Sequence, residues 1–400
     1  MSWQLVSRGI VKAIVDGVNR QVSGSHEFCS MKNSIPFSNM ATDDWLESVR
    51  LWLKYGAPLI AQAPSRKCPV CCGDGRALFN SHDGYPFSEC WSCGCWYVPH
   101  QIDERLFEKF FACCGYAKVL ADRMIEKRIG AEMTQTDQAR LEGYFDELII
   151  SVQSESANIR YLDVGCGVGH SVMVAGRRGI DAYGVDVNKK AVEVGRKKGL
   201  RLFDSSDDVP EREFEWISFW ETLEHMVDPL AELSRYKNRL APDGLIALTV
   251  PNLNGLGVRL QKGDCSYVHG GRAWAGHVNW FNVELLKVLL GRAGLDILFV
   301  DGQFGHNLFD LISYLLGESR AAADSIAGPR HEMKFPVSTF EAVNAIGPAV
   351  TLMERLTLTS PIIKVVACRS EEAGRLNDVR ENLNRSRRSD LAAQALVLGS

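Results

Sequence analysis

The spacing of apolar residues near the beginning of the chain predicts helices. In residues 3–22 apolar positions recur every three or four residues, which predicts one amphipathic helix with basic residues on its other face. The pattern favours a helix docked on its own protein, and a membrane-surface or targeting role is the alternative. Thr42 and the two aspartates after it predict the start of a second helix, which ends at Gly56 before Pro58.

From residue 159 the pattern changes to short β-rich apolar runs separated by helical stretches. The runs are IRYLDVG, IDAYGVD, LRLF, FEWISFW, GLIALTV and LDILFVD. Such alternation predicts βαβ units around a largely parallel sheet, and therefore an α/β fold class. A stretch rich in helix formers, 306–360, predicts an insertion over the edge or the active-site end of this sheet. It precedes a last strand-like run at 361–369, and the charged tail from 370 predicts a flexible or loosely helical segment.

Charge and composition exclude some classes of function. The net charge of −4 argues against a polyanion-binding surface over the whole chain, although a local basic patch is compatible with it. The first residues lack an apolar core and carry Arg8, Lys12 and Asp16, so we expect no secretory signal. We also expect no transmembrane segment, which needs about 18 consecutive apolar residues. A cytoplasmic protein is the expectation, and in that reducing compartment clustered cysteines more often bind metal than form disulfides.

Two Cys-x-x-Cys pairs separated by 18 residues predict a zinc ribbon. The predicted ligands are Cys68, Cys71, Cys90 and Cys93. Four thiolates leave no open coordination position, so the Zn²⁺ is expected to be structural, and a redox or catalytic role is the alternative. The neighbouring Cys72 and Cys95 leave the exact ligand set open. Cys113 and Cys114, in an apolar helical run, are expected to be buried structural cysteines.

A glycine turn follows the first strand of the α/β region. Gly165, Gly167 and Gly169 allow a ligand to approach the backbone, and the following helix offers free N–H donors. Asp163 precedes this turn, where a carboxylate repels phosphate but attracts an ammonium or a sulfonium. S-adenosylmethionine carries both of these cations. The alternative is that Asp163 only braces the turn through backbone hydrogen bonds.

The next two strands end in further acidic residues. Asp186 lies 17 residues after Gly169, where it can accept both hydroxyls of a ribose, or alternatively cap the helix that follows. Asp204, after the third strand, is either a contact of the adenine or a simple loop residue.

These segments resemble a known family. LDVGCGVG, GVDVN, ETLEHMVDP and GLIALTVPN resemble successive motifs of the class I S-adenosylmethionine-dependent methyltransferases, most closely the ubiquinone-biosynthesis-like small-molecule branch. The resemblance covers about 157–305, and PIIKVVACR resembles the closing antiparallel strand of the family. It implies a Rossmann-like, doubly wound, seven-stranded sheet that is mostly parallel, with helices on both faces. Glu215 and His170 are mild departures from the pattern of the family.

The resemblance also implies a set of residues that bind the cofactor. They are Asp163, Gly165, Cys166, Gly167 and Gly169 around the methionine half, Asp186 and Val187 at the ribose, Asp204 near the adenine, and Trp220 lining the pocket.

The cysteine segment resembles the short zinc ribbons that precede methyltransferase domains in many bacterial proteins, often linked to glycan or small-metabolite modification. With it, the chain divides into five parts. They are a helical extension (1–64), the zinc ribbon (65–100), a helical connector (101–156), the methyltransferase domain with its insertion at 306–360 (157–369), and the tail (370–400).

Three segments are expected to face the transferred methyl group, because ligands lie beyond the carboxyl ends of the strands in open α/β sheets. They are WETLEHMVDP, VPNLNGLGVRL and the aromatic-rich loop 267–281. His225 and His277, in the first and third segments, are the candidate general bases for deprotonating an acceptor, and the alternative is that each only packs or caps. Arg272 is a candidate partner for an acidic acceptor, or it is simply exposed.

The combined hypothesis is an enzyme that methylates an oxygen, or a carbon, of a small-molecule or glycan-linked acceptor, with S-adenosylmethionine and a structural Zn²⁺. An RNA methyltransferase is the first alternative. Nucleic acid is disfavoured because the basic segment 189–201 is followed by an acidic one at 204–215. A cofactor-binding interaction module without catalysis is the second. The N-terminal 60 residues and the insertion are candidate surfaces for a partner or for homo-oligomerisation.

Overall fold

The computed structural model describes residues 28–30, 43–81, 84–152, 159–210, 213–261, 276–303 and 334–399. The predicted helix at 3–22, Arg272 and the first part of the predicted insertion, 306–333, lie outside these ranges. Among the helices in these ranges, none combines the length and apolar character that crossing a bilayer requires.

The strands, in chain order, are β1 (Phe28–Ser30), β2 (Gly75–Asn80), β3 (Pro86–Cys90), β4 (Trp96–Tyr97), β5 (Arg160–Val164), β6 (Asp181–Val185), β7 (Leu202–Phe203), β8 (Phe214–Trp220), β9 (Leu240–Pro251), β10 (Asn279–Trp280), β11 (Leu295–Gln303), β12 (Lys334–Pro336) and β13 (Ile362–Arg369).

The α-helices are α1 (Asp43–Leu51), α2 (Ala57–Ile60), α3 (Glu104–Cys113), α4 (Gly115–Ile129), α5 (Gln135–Val152), α6 (His170–Arg177), α7 (Lys189–Lys197), α8 (Pro229–Lys237), α9 (Leu256–Gln261), α10 (Val283–Arg292), α11 (Val337–Thr357) and α12 (Asn377–Gly399). A π-helical turn, Trp52–Gly56, joins α1 to α2, and short 3₁₀ turns lie at Ser206–Asp208 and Leu223–His225.

Seven strands form the central sheet, in the order β11-β13-β9-β8-β5-β6-β7. The five strands from β9 to β7 pair in parallel, and β13 is antiparallel to both of its neighbours. The predicted α/β fold class and the predicted closing antiparallel strand are therefore confirmed. The chain order reverses between β5 and β8, and ligands bind beyond the carboxyl ends of the strands at such a switch point.

The central strands are apolar along nearly their whole length because helices cover both faces of the sheet. Every residue of β5 after Arg160 is buried, as are the last eight residues of β9. On one face α5 packs against α6 and α12, and elsewhere α10 packs against α8 and β11.

A second sheet connects the cysteine-rich segment to the α/β region. Its strand order is β10-β4-β3-β2, so three strands come from the cysteine segment and the fourth, β10, comes from the predicted acceptor loop. The register pairs Asn279 with Tyr97 and Trp280 with Trp96, in antiparallel orientation. The two units therefore share a sheet.

Residues 377–399 of the C-terminal tail form the helix α12, which agrees with the loosely helical alternative rather than with a flexible segment. Val379, Leu383 and Leu391 lie on one face of this helix and are buried. Arg387 donates to Asp301 Oδ1 (2.8 Å) and to the Arg355 carbonyl (2.7 Å), which ties α12 to β11 and α11. The charged composition hid both an apolar face and this buried ion pair.

Candidate active site

The glycine turn after β5 has the backbone that the sequence predicts. Gly165, Gly167 and Gly169 have φ angles of 77°, 56° and 84°, a region that favours glycine. A Cβ on Gly165 would lie 2.4 Å from Thr222 Cγ2, whereas a Cβ on Gly167 would meet open space. The turn leads into α6 at His170, so the first N–H groups of that helix adjoin the turn.

Asp163 lies buried beneath this turn. Its Oδ1 accepts a hydrogen bond from Ser218 Oγ (2.6 Å), and its Oδ2 accepts one from the Ser171 hydroxyl. Burial raises the pKa of Asp163 to about 7, against the opposing effect of the two hydroxyls. The carboxyl group is thus braced by side-chain hydroxyls rather than by backbone amides, and its role toward a ligand ammonium stays a prediction.

Trp220, at the end of β8, is directed toward α5. Its Nε1 donates to Tyr161 Oη (3.0 Å), and its ring packs on Tyr144 with centroids 4.8 Å apart. Tyr161 Oη is in turn 2.6 Å from Ser218 Oγ, one of the hydroxyls on Asp163. A chain of hydrogen bonds therefore connects Trp220 to Asp163, and the predicted contact of Trp220 with the cofactor stays a prediction.

Asp186 joins the end of β6 to the glycine turn. Its Oδ2 accepts from the Gly167 amide and its Oδ1 from the Asn188 amide, each at 2.7 Å. Asn188, not Asp186, caps α7, because its side chain accepts from the Ala191 amide (3.3 Å). The alternative of Asp186 as the cap of this helix is therefore wrong, and its predicted contact with a ribose stays a prediction.

The remaining predicted cofactor residues lie in the turn itself or directly after β6 and β7. Val187 follows Asp186 and is 92% exposed, which makes it available to an adenosine. Cys166 is buried against Gly184, where a Cβ would lie 2.7 Å from the Cys166 sulfur. Asp204 pairs with Arg196 Nη2 at 3.3 Å. The structure thus gives Asp204 a protein partner, and its contact with the adenine stays a prediction.

The turn after β8 brings together the two histidines that the sequence singles out. Glu224 is fully buried in this turn, and its Oε1 lies 3.8 Å from His277 Nε2 and 3.9 Å from His225 Nε2. The two imidazole rings are 4.9 Å apart, and His225 Nδ1 is 3.2 Å from the Gly276 carbonyl oxygen. Neither Glu224 oxygen has a hydrogen-bond partner among the described residues. We call Glu224, His225 and His277 the acid–histidine cluster.

A second buried carboxyl group, that of Glu221, lies at the end of the same strand. Burial raises the pKa of Glu221 to about 7, and burial together with the Glu221 charge raises the pKa of Glu224 well above its ordinary value. Glu221 also has a left-handed backbone (φ 49°), held by its amide donating to Thr249 Oγ1 at 3.1 Å. Strained backbone and buried acids are features of functional sites. The sequence signal for these buried acids is the pair Glu221 and Glu224, the second of which directly precedes His225.

The four predicted zinc ligands converge. Cys68 and Cys93 have their sulfurs 3.6 Å apart, Cys71 and Cys90 have theirs 3.4 Å apart, and all four lie within 4.8 Å of one another. A tetrahedral Zn²⁺ with bonds of about 2.3 Å separates its sulfurs by roughly 3.8 Å, so the set fits this metal.

The other two cysteines of the segment lie outside the four-sulfur group. Cys72 is exposed, and its sulfur accepts from Arg292 Nη2 at 3.3 Å. Cys95 is buried, and its sulfur lies 3.5 Å from the carbonyl oxygen of Trp280. Gly94 has a φ angle of 74°, as the tight second knuckle requires. Cys113 and Cys114, which lie further along the chain in α3 and directly after it, were expected to be buried. Cys113 is exposed and Cys114 is partly buried, so that expectation is wrong.

Comparison with known proteins finds a family that resembles the region of this site. Residues 133–299 match the model of a family described as "Methyltransferase domain". This part of the chain is similar to methyltransferase domains. This match spans the glycine turn, the acid–histidine cluster and β10.

The relatives of this methyltransferase domain are oxygen methyltransferases by name. A "Ubiquinone biosynthesis O-methyltransferase" from Alkalilimnicola ehrlichii is 30% identical over 105 residues, which cover 24% of this chain and 42% of that protein. One of the same name from Cereibacter sphaeroides is 30% identical over 152 residues, covering 34% of this chain and 60% of that protein. The chain thus spans about half the length of these relatives.

A solved structure also aligns with the chain. A SAM-dependent methyltransferase from Archaeoglobus fulgidus shows 17% identity and a TM-score of 0.38, over 57% of this chain and 91% of that one. The sequence comparisons support the predicted resemblance to methyltransferases, and they support S-adenosylmethionine as the cofactor.

Proposed function

We propose that the protein transfers a methyl group from S-adenosylmethionine to an oxygen of a small-molecule acceptor. The observation that carries this proposal is the acid–histidine cluster, because it offers proton acceptors next to the carboxyl end of β8, the strand beside the glycine turn. The oxygen methyltransferases among the relatives favour the same chemistry. A carbon acceptor or a glycan-linked one is compatible with the same site.

Cofactor binding rests on the residues around the glycine turn. The turn amides and the start of α6 suit the carboxylate of the methionine half, and Asp163 suits its ammonium. Asp186 has a spare lone pair on each oxygen for the ribose hydroxyls, since each oxygen accepts one backbone amide. The sulfonium supplies an activated methyl group when the cofactor is bound. The protein then has to orient the acceptor and exclude water.

The acid–histidine cluster is proposed to take the proton of the acceptor hydroxyl. The His225 side chain is 38% exposed and can reach an acceptor, whereas the His277 side chain is 10% exposed. When either imidazole gains a proton, the buried Glu224 carboxyl group is the adjacent group able to offset the charge. Distances of 3.8–3.9 Å exceed a hydrogen bond and require a small closure when the acceptor binds.

A divalent cation is the second candidate for this position. Glu224, His225 and His277 each offer one ligand atom within 4.8 Å of the others. A cation there would neutralise the buried acids and polarise an acceptor oxygen. Methyl transfer that depends on added Mg²⁺ would favour it over proton transfer by histidine alone.

The ribbon is proposed to hold one structural Zn²⁺ through Cys68, Cys71, Cys90 and Cys93. The four-sulfur set leaves no position open for catalysis. Gly73 supports this role, because a Cβ there would lie 3.2 Å from the sulfurs of both Cys71 and Cys90.

Replacing Asp186 with alanine tests the cofactor site. We expect the affinity for S-adenosylhomocysteine, measured by calorimetry, to fall by about 100-fold, because two charge-assisted hydrogen bonds to the ribose are lost. The matched control is Asp181→Ala, at the opposite end of β6, where the carboxylate pairs with Arg201. Equal affinities in wild type and Asp186→Ala would contradict the placement of the ribose.

The pH dependence of binding tests Asp163. Its pKa of about 7 means that its carboxyl group is ionised above that pH and neutral below it. Only the ionised form attracts the ligand ammonium, so affinity for S-adenosylhomocysteine should fall by about tenfold from pH 8 to about pH 6. In Asp163→Asn the affinity should be weak at both values. If Asp163→Asn keeps the wild-type dependence of affinity on pH, the group that titrates is not Asp163.

A further inference from the structure

The ribbon and the acceptor segment share backbone hydrogen bonds beyond the metal site. β4 pairs with β10, and the Val98 amide, just after β4, donates to the Val278 carbonyl oxygen (2.9 Å). Arg292, at the end of α10, donates to the Val70 carbonyl oxygen in the first cysteine knuckle. The ribbon is therefore attached to the methyltransferase domain on both sides of its metal site.

Arg66, two residues before the first zinc ligand, connects three separate segments. Its Nε donates to the Val98 carbonyl oxygen (2.7 Å), and its Nη1 donates to the Val227 carbonyl oxygen (2.7 Å). Its Nη2 donates to the Val278 carbonyl oxygen and to Asn279 Oδ1, both at 2.8 Å. These segments are the end of the ribbon, the loop after the Glu224 turn, and the segment that runs from His277 into β10.

The same two methyltransferase segments are also bonded to each other. The Val278 amide donates to the Glu224 carbonyl oxygen (3.0 Å), and Asn279 Nδ2 donates to the Met226 carbonyl oxygen (2.6 Å). Val278 and Asn279 directly follow His277. The Val278 carbonyl oxygen accepts from the Val98 amide and from Arg66, and Asn279 Oδ1 accepts from Arg66. The separation of His277 and Glu224 therefore depends on groups that belong to the ribbon.

We propose that Arg66 is a positioning residue through which the zinc ribbon holds His277 beside Glu224. The ribbon is then a wall of the acceptor site rather than an independent binding module. The catalytic meaning of this placement rests on the proposed function, whereas the placement itself does not. Lysine cannot replace Arg66, because one ammonium group cannot reproduce four bonds arranged around a planar guanidinium.

Hydrogen–deuterium exchange on the full-length protein tests this positioning. In Arg66→Met and in Arg66→Lys, the amides of residues 276–281 should exchange about tenfold faster than in wild type, because their local opening becomes easier. The zinc content and the affinity for S-adenosylhomocysteine should stay unchanged. The matched control is Arg76→Met, which removes an exposed ribbon arginine bound to Glu89 (2.7 Å) and should leave exchange at 276–281 as in wild type.

A spectroscopic readout separates positioning from a general loss of stability. With ¹³C-labelled histidine, the His277 ring signal, assigned from its absence in His277→Gln, should move in Arg66→Lys and match wild type in Arg76→Met. Wild-type exchange at 276–281 together with an unmoved ring signal in Arg66→Lys would overturn the proposal. Failure of wild type to bind S-adenosylhomocysteine would overturn the proposed function instead, and leave the exchange result to decide the role of Arg66.

Discussion

Replacing Cys90 with serine is expected to abolish stoichiometric zinc and to lower the free energy of unfolding by about 5 kcal/mol. Loss of one thiolate leaves three ligands and opens the knuckle around Gly94, because the metal rather than a large apolar core fixes such small ribbons. The part of the ribbon that packs on the methyltransferase domain limits the loss. Metal analysis of the purified variant and urea unfolding measure the two effects.

Cys72→Ser is the matched control for this substitution. It removes an exposed sulfur that lies one residue from a proposed ligand and contacts Arg292 instead. We expect its zinc content and its unfolding midpoint to equal those of wild type. Full zinc content in Cys90→Ser, or loss of zinc in Cys72→Ser, would contradict the assigned ligand set.

Replacing Glu224 with glutamine is expected to slow methyl transfer by about 100-fold or more, because an amide cannot lose a proton to offset the charge that a histidine gains. The rate can be measured with methyl-labelled S-adenosylmethionine and 3,4-dihydroxybenzoate, a phenolic probe acceptor. Affinity for S-adenosylhomocysteine should be unchanged. The control is Glu284→Gln, an exposed glutamate on α10.

The same substitution has a stability signature that needs no acceptor. Because the pKa of Glu224 is raised in the folded state, its carboxyl group stabilises the fold relative to the unfolded chain below about pH 4.5, and this contribution is lost as the pH rises toward the folded pKa. Glu224→Gln should therefore gain stability relative to wild type as the pH rises above about 4.5, with a larger difference near pH 8 than near pH 4. An unchanged rate together with an unchanged pH dependence of stability in Glu224→Gln would contradict the proposed role of Glu224.

Local patterns made part of the site predictable from the sequence. The glycine turn and each Cys-x-x-Cys pair depend on neighbours in the chain, so their spacing predicted them, whereas Asp163 is held by Ser218, 55 residues away. The alternation of strands and helices located the central sheet in the same way. Asp186 was placed at the end of its strand, but its two backbone partners depend on how that end meets the glycine turn.

The features of the site that the sequence did not predict depend on contacts between distant segments. Glu224 accepts a backbone hydrogen bond from Val278 and lies 3.8 Å from His277, 53 residues further along the chain, so its environment has no local signal. β10 is two residues long, too short for a period-two pattern, and it pairs with the ribbon rather than with the central sheet. The four bonds of Arg66 likewise connect segments up to 213 residues apart.

Calorimetric titration of the wild-type protein with S-adenosylhomocysteine, and separately with NAD⁺, tests the account most directly. The account predicts saturable binding of S-adenosylhomocysteine and no heat from the dinucleotide, because the carboxyl group of Asp163 beneath the turn disfavours a phosphate above it. Binding of NAD⁺ without binding of S-adenosylhomocysteine would contradict it.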